Sequence, residues 1–148
     1  MKPKKNNLIR GAYHFFSPNI KAEKQFNLFK NEVNLQKGDL PPILDVELIK
    51  CDINEVNKWI IMCKNHFGVE PILYTYYLYF KFFLEFRIEK CKLWIYTNEK
   101  INFAPSFNNY KCVIWQYSQK GNINGIKGPV DEDLFLIDSN QINELLIK

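Results

Sequence analysis

The chain has 148 residues and a mass of 17.7 kDa, enough for one domain with a buried core. Apolar residues make up 47%, aromatics 16% and charged residues 24%, which excludes a disordered or fibrous chain. A formal charge of +4 mildly favours acidic partners, but Lys2, Lys4 and Lys5, its one cluster, fit a solvated terminus, so charge does not decide function and no nucleic-acid partner is expected.

Leu8 to Phe16 reads as a strand ending in Tyr13-His14-Phe15-Phe16, preceded by a basic start with no visible signal peptide. Ser17-Pro18 then opens a helix as a cap and first-turn residue. Ala22, Phe26, Phe29 and Val33 share one of its faces, and Gly38 stops it. Pro41-Pro42 mark the entrance to a short strand, Ile43-Leu44-Asp45-Val46-Glu47. Asp52 with Glu55 three residues on resembles a capping box, opening a helix that turns Val56, Trp59, Ile60, Cys63 and Phe67 inward and ends at Gly68. Pro71 to Thr75 is the next strand, followed by a helix through Phe80, Phe83 and Leu84, and then by the strand Leu93 to Tyr96.

After Thr97 the pattern changes. Residues 98–110 contain Pro105 and several Asn without helical periodicity. They lead to a strand at Val113 to Ser118. Gly121, Gly125, Gly128 and Pro129 then make a connection too short for a crossover helix. Val130-Asp131 begins the last strand, expected to pair antiparallel, and Ile142, Leu145 and Leu146 suit a closing helix. Strands alternating with helices predict a parallel sheet or barrel in a single domain over 1–148.

The cysteines Cys51, Cys63, Cys91 and Cys112 show no C-x-x-C and no zinc-type spacing, so they read as small buried apolar residues. No metal or organic cofactor is expected. No run reaches the ~18 apolar residues of a membrane-spanning helix.

Asp45 and Glu47 are the candidate chemistry. Two residues apart on a strand, they leave on the same face, while Leu44 and Val46 take the other. Their Cα atoms are expected roughly 6.6 Å apart, inside the range that lets paired carboxyls break a glycosidic bond. That spacing does not separate retention from inversion. Tyr13, Tyr74, Tyr96 and Tyr117 fall at or near the ends of different predicted strands, so parallel strands would gather them at the same mouth, where rings can stack on sugars. His14 reads as a satisfied core histidine.

Gly11-Ala12-Tyr13-His14-Phe15-Phe16, Pro42-Ile43-Leu44-Asp45-Val46-Glu47 and Pro71-Ile72-Leu73-Tyr74-Thr75 resemble successive blocks of glycoside hydrolase family 25. So do Leu93-Trp94-Ile95-Tyr96, Trp115-Gln116-Tyr117-Ser118, and Gly125-Ile126 followed by Val130-Asp131, in the family's order. The resemblance implies an irregular TIM-like α/β barrel and a lysozyme (muramidase) cutting the β-1,4 bond after N-acetylmuramic acid in peptidoglycan. It implies catalytic roles for Glu47 as acid/base, Asp45 as stabilising carboxylate and Asp131 as a further acid of the cleft. It implies substrate binding by Tyr13, Tyr74, Tyr96, Trp115 and Tyr117, peptidoglycan glycan strands as partner, and a secreted or cell-envelope setting.

Family members also begin with a Gly-Ile-Asp-Val-Ser-like strand bearing another active-site aspartate, and this chain shows no such block. The expectation is therefore a barrel lacking about its first two β/α units, with exposed sheet edges that favour self-association. The alternative is a wall-glycan-binding remnant that no longer cleaves.

Overall fold

A computed structural model describes residues 8–99, 107 and 110–148. The Lys2, Lys4 and Lys5 cluster and most of the 98–110 segment, including Pro105, lie outside the described residues. Six strands form one sheet in chain order: β1 (Tyr13–Phe15), β2 (Ile43–Asp45), β3 (Ile72–Tyr76), β4 (Lys92–Tyr96), β5 (Lys111–Gly121) and β6 (Val130–Phe135). The first five run parallel and β6 is antiparallel to β5, as the Gly-rich connection requires. The sheet curls into a half-barrel whose edges are β1 and β6.

Period-two alternation divides the core into two layers. Leu44, Val46, Leu73, Leu93 and Ile95 face outward and pack beneath α1 (Ala22–Glu32) and α2 (Ile53–Phe67). Ile43, Ile72 and Ile114 face inward with Tyr74 and Trp94, forming the floor of the half-barrel. His14 belongs to the outer layer. It stacks on Trp59 and lies 3.0 Å from the carboxamide oxygen of Gln25.

The expected helix start at Ser17 moves to Ala22. Residues 17–20 form a turn instead, because the buried Gln25 carboxamide accepts from Ser17 N–H and donates to the carbonyls of Ser17 and Ile20. The same helix ends at Glu32, before Gly38, whose positive φ of 86° serves a later turn. Asp52 caps α2 through Asn54 N–H at 2.9 Å. Glu55 does not complete the box. Its carboxylate accepts from Ala22 N–H at 2.8 Å, capping α1 from the neighbouring helix. Gly68 closes α2 in the left-handed region at φ 68°.

The expected third helix is a single turn, α3 (Tyr77–Tyr79), that widens into a π-helical turn over Phe80–Leu84. Its wider spacing buries Phe80 and Leu84 but leaves Phe83 41% exposed. The closing helix α4 (Ser139–Leu145) starts with a capping box between Asp138 and Gln141. No described helix is long and apolar enough to cross a membrane. All four cysteines are free thiols, and burial pushes Cys63 and Cys91 up to about 12.

Candidate active site

The inner face of the half-barrel opens into a cleft of about 470 Å³ at the C-terminal ends of the parallel strands. Brought together there are Asp45 at the end of β2 and Glu47 just after it, Tyr74 on β3, Trp94 on β4, Gln116 and Gln119 on β5, and Asp131 on β6. Tyr13 supplies the β1 side, while Gly11, Leu40 and Ile43 form the base. A β-carbon at Gly11 would lie 3.2 Å from that of Leu40, so a side chain there would have to push Leu40 back by a few tenths of an ångström.

Glu47 lies just beyond β2, where the chain is held on both sides. Val46 N–H donates to Tyr74 O at 2.9 Å, and the Thr75 hydroxyl donates to Val46 O at 2.6 Å. One step further, the Tyr79 hydroxyl donates to Leu48 O at 3.0 Å. These bonds fix the direction in which the two carboxyls leave the strand.

Asp45 is pushed up to about 7, first by burial and then by the negative charge of Glu47. Its Oδ1 is buried and has no hydrogen-bond partner. Tyr74 is held above the ordinary tyrosine range by burial, and then by Glu47, Tyr76, Asp45 and Asp131, the three acids of the cleft among them. Tyr76 is raised likewise by burial, by the charge of Glu47 and by a hydrogen bond to it. Asp133 accepts the Trp94 indole N–H at 2.7 Å; burial raises it, that bond lowers it, and the charge of Asp131 raises it further.

Of the residues expected at the site, Asp45, Glu47, Asp131, Tyr13 and Tyr74 line the cleft. Tyr96, Trp115 and Tyr117 do not. Tyr96 lies at the end of β4 in an edge-to-face contact with Tyr76, their centroids 5.4 Å apart. Trp115 alternates with Gln116 along β5 and leaves on the other face, where its indole donates to Thr97 O at 2.8 Å. Tyr117 packs against Trp115. Trp94, Gln116 and Gln119 were not singled out from sequence. Period-two alternation back from Tyr96 does mark Trp94 as inward-facing. Among the described residues no cluster of His, Cys, Asp and Glu is arranged to hold a metal ion.

Comparison with known proteins agrees with this fold. The chain is 32% identical over 139 residues to YegX of Escherichia coli, an alignment covering 89% of this chain and 50% of that protein. It thus spans about half the length of the curated relatives it matches. A family 25 glycosyl hydrolase from Bacillus anthracis superposes with a TM-score of 0.81 at 26% identity, covering 95% of this chain and 70% of that one. A bacterial lysozyme from Streptomyces coelicolor, at 20% identity and a TM-score of 0.74, shares the fold. Residues 2–126 match the family model for glycosyl hydrolases family 25, and the chain belongs to that family.

Proposed function

We propose that this chain hydrolyses peptidoglycan, cutting the β-1,4 bond between N-acetylmuramic acid and N-acetylglucosamine. The observation that carries this reading is the pair Asp45 and Glu47, set side by side in one cleft with Asp131 opposite. Near neutral pH Asp45 is held partly protonated, because burial and the negative charge of Glu47 oppose its ionisation.

Glu47 delivers a proton to the glycosidic oxygen as the bond from that oxygen to the anomeric carbon breaks. Positive charge then develops on the sugar ring. Asp45 stabilises it, either directly or by accepting the N–H of the sugar's own acetamido group as that group turns on the anomeric carbon. An arriving N–H would also satisfy the unpaired Asp45 Oδ1 and draw Asp45 toward its charged form. Water completes the reaction, and Glu47 recovers its proton. Asp131 adds negative potential on the far wall, and Tyr13 and Tyr74 offer faces on which sugar rings can stack.

The test is clearing of a peptidoglycan suspension. Glu47→Gln should lower the rate by at least about a hundredfold. Asp45→Asn should be severely impaired too, because a neutral amide cannot balance positive charge. Undiminished clearing by Glu47→Gln would remove that residue from the mechanism. A second reading, glycan binding without cleavage, is favoured by the exposure of Tyr13 and Phe15 on β1, which leaves the cleft open along that side. Saturable binding of peptidoglycan without release of reducing ends would select it.

A further inference from the structure

Among the described residues, three buried side-chain polar atoms have no hydrogen-bond partner: Asp45 Oδ1, Trp59 Nε1 and Gln116 Nε2. Trp59 lies between sheet and helices, away from the cleft. Gln116 is 1% exposed, yet it lines the cleft. A buried carboxamide N–H with nothing to donate to is destabilising, so its retention at a cleft wall calls for a ligand.

The surroundings define that ligand. In the ladders Gln116 lies opposite Tyr96 on one side and Asp133 on the other. Asp133 is already engaged by the Trp94 indole, and Asp131 lines the same wall. Two carboxyl groups so near repel an anionic ligand group and accept from any hydroxyl. The group that suits Gln116 Nε2 is therefore an uncharged oxygen that accepts without donating. In a wall glycan the acetamido carbonyl is such a group.

We propose that Gln116 is a specificity-determining residue whose carboxamide N–H donates to the acetamido oxygen of an N-acetylated sugar. This rests on the wall-glycan reading and names one feature of the glycan that the cleft selects. Gln116 on β5 is three strands from Asp45 on β2, about 14 Å along the sheet.

The experiment titrates the chain with tri-N-acetylchitotriose and with cellotriose, its uncharged counterpart bearing hydroxyls in place of the acetamido groups, for the parent, Gln116→Met and Gln116→Glu. The parent should prefer the acetylated probe. Gln116→Met should weaken that probe about tenfold and leave the other unchanged. It should also raise the melting temperature, because it removes an unpaired buried donor. Gln116→Glu should weaken the acetylated probe, because a carboxylate has no N–H to donate to its carbonyl. A packing role would do the reverse: Gln116→Met would melt earlier and bind both probes as the parent does, which overturns the proposal. Equal affinity of the parent for the two probes overturns the acetamido assignment alone. A parent that binds neither probe removes the wall-glycan reading, and this assignment with it.

Discussion

Asp45 combines two costs in the free protein: a half-buried carboxyl beside Glu47 and an Oδ1 without a partner. Raised from its ordinary 3.8 to about 7, it binds its proton more tightly in the folded chain than in the unfolded one. Its contribution to stability is therefore complete below about pH 4 and is lost as pH rises toward 7. Asp45→Asn cannot ionise, so its melting temperature should gain on the parent's across that interval and hold the gain above it. Each kcal/mol corresponds to roughly 2–4 °C in a chain of this size. Parallel melting curves from pH 4 to 8 would contradict the assigned shift. The two acids were legible in sequence because a period of two places them together whatever surrounds them. Gln116 and Trp94 were not, because an inner-face residue that fills the floor and one that lines the cleft share the same periodicity.

Local signals succeeded where a helix end is settled by its own residues, as at Asp52 and Gly68. They failed where a distant group takes part. Glu55 has the spacing of a capping box, yet its carboxylate bonds Ala22 N–H and pairs with Lys58 at 2.8 Å and Lys21 at 3.4 Å. Sequence spacing within one helix carries no information about the start of another. The Lys58 hydrogen bond and then the Ala22 N–H hold Glu55 down at about 2, below its ordinary 4.5. The stability it adds is present above pH 4.5 and is lost as pH falls from there toward 2. Glu55→Gln should therefore melt earlier than the parent at pH 7, with the difference shrinking by pH 3. An unchanged melting temperature at pH 7 would show that α1 and α2 are joined by their apolar contacts alone. The π-helical turn at Phe80–Leu84 was read as ordinary helix for a related reason, since one added residue per turn leaves no mark in composition.

At the scale of the molecule, the parallel pairing and the antiparallel last strand followed from the spacing of strands, helices and glycines, while the barrel-like strand order came from the family resemblance. The open sheet has a consequence for behaviour in solution. β1 and β6 are edges, and the inner-face residues of β1, Tyr13 and Phe15, are 69% and 45% exposed. Unpaired backbone beside exposed rings favours pairing between copies. Sedimentation should show mass rising with concentration, and Phe15→Lys should shift the population toward monomer. A single monomeric species at every concentration would contradict that expectation. Under the proposed function this half-barrel carries a working muramidase cleft built on Glu47. The most direct measurement is release of reducing ends from purified peptidoglycan, with the terminal sugar identified by mass spectrometry, for the parent and for folded Glu47→Gln. The parent should give new N-acetylmuramic acid termini, and the variant none above background. Reducing ends of N-acetylglucosamine, or equal release by both proteins, would contradict it.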